Sequence, residues 1–414
     1  MGPVARLDKP AGGPQFAMVV NKGVIVAQSE FSITPASTKR DREAFVDHIY
    51  TANAGDPNFV PQLRAEELER YTPGGNPYFE HARCQLFLAR DAAGKVVGRI
   101  AAHIDELALG QPVEQGFGPG TGMWGSLEAD NETIAGALIE TAEQWLRGEG
   151  MTRAVAPMTL SVWEEPGVLI KGHDHPPTVM MGHSPKHLQG WIEARGYAPV
   201  KLLQTYELDI TREFPPLIRR IVSSGEKNPR INVRGVDLRK FASEAAIILE
   251  ILNDAWCDNW GFVPITDVEI AYIAKKLKPL IKADLVQIAE LDGEPVAFMM
   301  TLPDLNEVQL RVNGQRGRPS PLGFAKLGLW LFHTRVRTMR VPLMGVRKKL
   351  QASRLASQLA FMMIENIRRN SVANYGASRG EIGWILEDNQ GMNSIAREID
   401  SHVNKQYQIY DKPL

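Results

Sequence analysis

The sequence has 414 residues, 44% of them hydrophobic, and a net charge of −1. That length exceeds what one core usually fills and implies two domains, while the balanced charge excludes a global field for binding nucleic acid. Two cysteines, Cys84 and Cys257, far apart and flanked by core-like residues, support neither a disulfide framework nor a thiolate-bound zinc, and nothing approaches the roughly 20 apolar residues that span a bilayer, so a cytoplasmic protein, soluble or peripheral at the inner membrane, is expected.

Residues 1–32, broken by Gly and Pro, read as a loose leader and lack the unbroken apolar core of a secretory signal. An N-terminal domain, 33–212, opens with a helix from Ser37/Thr38 that buries Phe45, Ile49 and Tyr50. Asp56-Pro-Asn-Phe-Val-Pro61 and a charged helix, Leu63–Tyr71, come next. Cys84–Arg90 and Val96–Ile104 form a hairpin, with Gly94 at the left-handed turn position. Strand Met123–Leu127 leads through Asp130/Asn131 into helix Thr133–Arg147, stopped by Gly148 and Gly150. Strand Arg153–Met158, a Pro/His-rich loop Trp163–Pro185, helix Lys186–Arg195 and strand Pro199–Ile210 complete it. His173 and His175 would fall on opposite sides of an extended chain, so no metal is expected there; His183 is a candidate for a pocket at the interface of the domains, or for a helix-entry hydrogen bond. The segment Phe214–Val233, polar and irregular at its centre, is taken as the linker (213–233).

The same order returns over 234–414, which argues for two copies of one fold. Ala255–Pro264 answers Asp56–Pro61, a helix follows around Val268–Leu277, and Asp284–Leu291 with Pro295–Thr301 repeats the hairpin. Leu310–Arg340 has no counterpart in the first copy. Its apolar Leu322, Phe324, Leu327, Leu329, Trp330, Leu331 and Phe332 lie between Arg316/Arg318 and Arg335/Arg337/Arg340, which suits docking on an anionic membrane, walling an acyl groove, or plain helix packing. Strand Val341–Val346 then meets a cationic turn (Arg347–Ser353) and a helix with Leu355, Leu359, Met362, Met363 and Ile367 on one face. Free N–H groups at such a helix start can trap a phosphorylated ligand; an ordinary turn with a solvated basic rim is the alternative. Strand Tyr375–Leu386, a short helix Asn393–Asp400 and strand Tyr407–Asp411 close the chain.

This order of elements resembles the GNAT acyltransferase fold in tandem, an α/β fold on a mixed sheet. More narrowly, Asn259-Trp-Gly-Phe-Val-Pro264, Leu343-Met-Gly-Val346, Gly380-Glu-Ile-Gly-Trp-Ile-Leu-Glu-Asp-Asn389 and Tyr407–Leu414 are similar to a bacterial GNAT-like N-acyltransferase family. That family includes the bacterial ceramide synthases, which transfer a fatty acyl group to the amine of a sphingoid base such as 3-oxosphinganine. The resemblance implies acyl-CoA between strands Val341–Val346 and Tyr375–Leu386, held by Val346, Arg347, Gln351, Arg354, Ala356, Asn389 and Asn393. Arg354 stands where the family's phosphate turn carries a glycine, and its cation can grip a phosphate directly. In the first copy the matching positions are Glu128, Asp130 and Glu132, whose charge repels phosphate and implies a degenerate cofactor site.

N-acylation needs a base, an oxyanion donor and an acid for the leaving thiolate. Glu381 is the candidate base, or else a strand carboxylate paired with Arg379 or Lys405; Asn389 binds the pantetheine arm or caps the next helix. Backbone N–H groups near Gly345–Val346 are candidates to polarise the thioester carbonyl, and Tyr407, Tyr410 or His402 to supply the acid. Trp260, Phe262, Phe324, Trp330 and Trp384 are expected against the lipid substrate, with Met180, Met181, Met299 and Met300 along an acyl channel. Three functions compete: acylation of a long-chain lipid amine, acylation of a small soluble amine, and non-catalytic binding of acyl-CoA or lipid. Lys348 and Lys349 suit acyl-CoA or acyl carrier protein as donor.

Overall fold

The computed structural model describes residues 30–314 and 316–414. Of the expected leader, residues up to 29 lie outside the described part, and Phe31 and Ser32 already belong to the first strand. The first copy runs β1 (Phe31–Pro35), α1 (Lys39–Ala52), α2 (Arg64–Arg70), β2 (Ala82–Asp91), β3 (Val96–Asp105), α3 (Glu106–Leu109), β4 (Thr121–Ala129) and α4 (Glu132–Gly148). It continues with β5 (Arg153–Ala156), β6 (Met158–Thr159), β7 (Glu165–Pro166), β8 (Val168–Lys171), α5 (His187–Glu193) and β9 (Ala198–Asp209). The second runs α6 (Pro216–Glu226), β10 (Ile231–Gly235), α7 (Phe241–Trp256), α8 (Asp267–Leu277), β11 (Val286–Leu291), β12 (Glu294–Pro303), α9 (Asn306–Val312) and α10 (Pro321–Phe332). It ends with β13 (Thr338–Val346), α11 (Lys348–Gln351), α12 (Arg354–Tyr375), β14 (Arg379–Leu386), α13 (Gln390–Glu398) and β15 (His402–Pro413).

Alternation along the strands sorts these helices into layers. On β12, Ala297 and Met299 face the core shared with α6 and α12, whereas Phe298 and Met300 face the one shared with α7. On β2, Phe87 and Ala89 pack under α4, and Leu86 and Leu88 under α1. Each copy is therefore a sheet between a helix pair and a long helix, with α6 beside the long helix α12 in the second copy. Hydrogen-bonded caps set the ends: Thr38 and Asp41 form a capping box on α1, and Thr266 and Glu269 form one on α8.

The copies are joined by their last strands. The sheet order is β1-β2-β3-β4-β5-β15-β9-β14-β13-β12-β11-β10, with β8 also pairing β15. The final strand of the chain thus pairs with β5 of the first copy, and β9 of the first copy pairs with β14 of the second. All pairings are antiparallel except β4 with β5 and β13 with β14. Among the described residues, thirteen strands make one sheet.

Several local expectations change. The segment expected as a Pro/His-rich loop holds β7 and β8, the second of which pairs with β15. The segment expected as an irregular linker holds α6, which buries Ile218 and Val222. Its Gly225 lies so close to α12 that an added Cβ would fall 2.2 Å from the Met362 sulfur, so the glycine permits the packing. Polar residues along its outer side hid the apolar i, i+4 pair. The strand expected from Tyr375 starts at Arg379, because Tyr375 ends α12 and Gly376 takes the left-handed cap at φ +69°. The cationic turn also contains a single helical turn, α11.

A sheet shared through exchanged strands should melt as one unit. In urea, tryptophan fluorescence and far-UV circular dichroism are expected to report one coincident transition. Ile409→Ala, at a fully buried position on β15, should move all of it, at a cost of about 2–5 kcal/mol. Two transitions of which one moves would contradict the shared sheet.

Candidate active site at the β13–β14 wedge

β13 and β14 pair in parallel from Thr338/Arg379 to Val341/Ile382 and then part. Pro342 ends the pairing on one side, since it has no N–H to offer. On the other, Gly383 adopts φ +143°, and a Cβ there would meet the Gln204 carbonyl at 2.7 Å. Beyond this point Leu343–Val346 pair only with β12, and Ile385–Leu386 only with β9. Among the described residues their inner edges have no strand partner, as an extended ligand arm would require.

The gap opens into a chamber of about 260 Å³, lined by Pro342–Met344, Gly383–Leu386 and the inner faces of α7 and α8. Its walls are apolar: Ala245, Ile248, Leu252, Ile273 and Leu277, closed by Trp163, Trp256 and Phe262. Trp163 and Trp256 stack at 5.8 Å, and their N–H groups donate to Val263 O and Met344 O. Gly261, at φ +76°, turns Trp260 and Phe262 inward and donates its N–H to Gln115 O. That turn accounts for the Trp-Gly-Phe-Val-Pro string.

Few polar groups meet the chamber. Arg340, 1% exposed, donates to Val341 O at 2.6 Å and to Met181 Sδ at 3.0 Å, and its Nε has no partner. Burial lowers its pKa against the opposing pull of Glu381, Tyr407 and Asp304. Trp384 Nε1 is likewise buried and unpartnered. Two lining residues thus carry donors that nothing among the described residues satisfies, and such donors in an apolar chamber suit a ligand's carbonyl or hydroxyl oxygen.

Behind this lining the first copy supplies a floor. Thr178 Oγ1 donates to Glu381 Oε1 at 2.8 Å, Val179 N to Asp304 at 2.8 Å, and Tyr407 Oη to Gly182 O at 3.0 Å. His183 Nε2 lies 2.7 Å from Asp56, and burial lowers its pKa despite that carboxylate. Asn404 at 2.8 Å and Arg379 at 3.3 Å bind the other oxygen of Glu381, which is fully buried. Burial pushes Asp304 up to about 7 and Lys405 down to about 8.

The expected catalytic residues Glu381, Tyr407 and His183 are therefore drawn to one loop, Thr178–His183, but none of them lines the chamber; Arg340 does. Of the expected lipid contacts, Trp260, Phe262 and Trp384 line it, whereas Phe324 and Trp330 sit outside on α10. Met180 and Met300 line it, and Met299 faces the opposite core. Asn389 lines it and also caps α13, accepting from Met392 N. Asn393 is committed elsewhere, accepting from Tyr206 and donating to Leu386 O and Glu387 O.

The cationic turn lies at the end of β13. Arg347 pairs with Glu250 at 2.8 Å, Lys348 with Asp258, and Gln351 donates to Val346 O and Ala255 O. Lys349 and Arg354 are exposed, and Ser353 caps the start of α12, where Ala356 is buried. In the first copy the equivalent gap between β4 and β5 is filled: a Cβ on Gly125 would fall 2.0 Å from Met158 O, and Glu128 pairs with Arg99.

Reading the sequence alone missed Asp304 and counted Arg340 among the cations flanking the apolar segment, whereas Arg340 is buried in β13 and lines the chamber. A lone cation between Met339 and Val341 in an apolar strand was the available signal, since such a charge needs a partner or a task.

The architecture and the open strand pair define a tandem GNAT fold. A solved tandem GNAT protein from the clavulanic acid biosynthesis pathway shares it at a TM-score of 0.52 and 13% identity, over 93% of this chain and 98% of that one. No protein-family model matches the sequence. The bacterial ceramide synthase of Caulobacter vibrioides is 39% identical over 388 residues, spanning 93% of this chain and 98% of its own. Protein YghO of Escherichia coli K12 is 36% identical over 379 residues, spanning 91% and 94%. The chain belongs to this GNAT-like family, which includes the bacterial ceramide synthases, and is an N-acyltransferase.

One contact ties the α8 wall to the first copy. His81 lies 2.9 Å from Asp105 and 3.1 Å from Glu269 of α8. Burial opposes the charged ring, but hydrogen bonds and charges of both carboxylates outweigh it and raise its pKa to about 10. A raised pKa means that the clamp contributes fully below the unfolded value near 6.5 and is lost as pH climbs through about 10. The stability gap between the wild type and His81→Ala should be roughly 2–4 kcal/mol at pH 6 and shrink towards pH 10. A gap independent of pH would contradict the charged clamp.

Proposed function

We propose that the chain transfers a fatty acyl group from acyl-CoA to the amine of a long-chain sphingoid base such as 3-oxosphinganine. The carrying observation is the opening of the β13–β14 gap into an apolar chamber walled by α7 and α8. A small polar acceptor would find almost nothing to hydrogen-bond there, whereas an alkyl chain is favoured by about 25 cal/mol per Å² of apolar surface removed from water. The name of the Caulobacter relative, a bacterial ceramide synthase, supports the same substrate class.

In this reading the pantetheine arm runs along the unpaired edges of Leu343–Val346 and Ile385–Leu386, with the phosphates at Lys349, Arg354 and the start of α12. The thioester carbonyl accepts from Arg340 or from the free backbone edge. An amine entering the apolar chamber is driven towards its neutral form, because burial disfavours the ammonium. Its nitrogen attacks the thioester carbon, the C–N bond forms and the C–S bond breaks. The proton shed by nitrogen ends on the leaving sulfur, so positioning carries most of the work. Glu381, enclosed by Thr178, Asn404 and Arg379, acts as a positioning residue that balances the Arg340 charge. The first copy contributes the floor loop and binds no cofactor.

Mass spectrometry of products from purified protein, offered sphinganine or 3-oxosphinganine with a ladder of acyl-CoAs, should show the amide. Absence of product with both bases would overturn the reading. Ala245→Trp, which fills the chamber from α7, should lower kcat/KM for the long-chain amine at least about 10-fold. Arg340→Met should lower kcat by about 100-fold at a temperature where the variant is folded, as loss of an oxyanion donor does, and should also lower the melting temperature, because Glu381 loses its counter-charge. Unaltered turnover in both variants would move the reaction out of this chamber.

A further inference from the structure

Helix α10 buries almost nothing. Leu322 is 66% exposed, Phe324 58%, Leu329 63% and Phe332 86%, and Gly323 is its one buried residue. At 100° per residue, Gly323, Leu327 and Trp330 form its inner side. The opposite arc holds Leu322, Phe324, Ala325, Gly328, Leu329 and Phe332, with Lys326 as the single charge at its margin. A soluble surface does not usually leave so many large apolar side chains together.

Charge identifies the occupant. Leu310–Arg340 contains no Asp or Glu, and Arg311, Arg316, Arg318, Lys326, Arg335 and Arg337 in it are all exposed. An apolar helix face in a segment whose charged side chains are all cationic, with Glu307 of the neighbouring α9 turned to the backbone of Arg337 and Thr338, matches a bilayer surface bearing anionic headgroups. With 12 residues, or about 18 Å of rise, α10 is too short to cross a bilayer and long enough to lie in its interface. Among the described residues no helix is long and apolar enough to cross a membrane.

The helix is also fastened beside the chamber. Lys282 Nζ donates to Leu331 O at 3.0 Å, and Ile281, the residue before it, lines the chamber wall. Trp330 anchors the inner side to the core under β13 and donates its N–H to Arg335 O.

We propose that α10 is a membrane-docking helix, lying on an anionic lipid surface and bringing the chamber to the bilayer from which its amine substrate is drawn. The route rests on the lipid-amine reading above; docking itself does not. Full-length protein should float with phosphatidylcholine vesicles containing about 30% phosphatidylglycerol and much less with phosphatidylcholine alone. Leu329→Ser/Phe332→Ser and, separately, Lys326→Glu/Arg335→Glu should each weaken flotation at least about 10-fold, because apolar insertion and charge both contribute. Melting temperature and turnover of a detergent-dispersed amine should stay unchanged, while turnover of a vesicle-embedded amine falls. Wild-type protein that does not float, or variants that float equally, would overturn the proposal. So would a dimer in solution that the serine variants abolish without any vesicle binding, since that assigns the face to a second copy. Failure to acylate any lipid amine in detergent would remove the functional reading and the route while flotation still decides docking.

Discussion

Everything in this molecule turns on two strands that stop pairing. β13 and β14 hold together for four residue pairs and then diverge at Pro342 and Gly383. Unpaired strand edges are costly in a sheet interior unless their outer sides are secured. Here β12 secures one and β9 the other, and β9 is the closing strand of the first copy. The exchange of final strands is thus a structural condition for the open gap, and the repeat of the fold is more than duplication.

The first copy also explains how charge survives behind an apolar chamber. Burying Arg340, Lys405, Asp304 and Glu381 together would be prohibitive without dense compensation. The loop from Gly172 to His183 provides much of it: its carbonyls receive Lys405, its Thr178 meets Glu381, and its Met181 sulfur meets Arg340. A copy whose own gap is filled by Met158 serves as scaffold and floor for its neighbour. The orphan donors of Arg340 and Trp384 are what this compensation leaves over among the described residues, and both residues line the chamber.

Much of this was legible in the sequence, and the omissions have physical reasons. The repeated hairpin, the basic turn and the long apolar helix follow from periodicity and turn residues, which act locally. The Trp-Gly-Phe-Val-Pro string pointed to the substrate through the family resemblance it carries, and the structure shows that a left-handed glycine sets its geometry at the chamber wall. Strand exchange was invisible, since β15 and β9 have the same alternation whichever copy they join. Glu381 was singled out from its glycine neighbours, yet only tertiary contacts reveal that Thr178 and Asn404 enclose it. Helix α6 was missed because a helix that buries one narrow face reads as polar.

The most direct test of the central claim is a crystal structure with a non-cleavable thioether analogue of a long-chain acyl-CoA. The account predicts the pantetheine between Leu343–Val346 and Ile385–Leu386, its phosphates at the start of α12 and its alkyl chain against α7 and α8. An analogue bound in the first copy, or one that leaves the β13–β14 gap and its chamber empty, would contradict it.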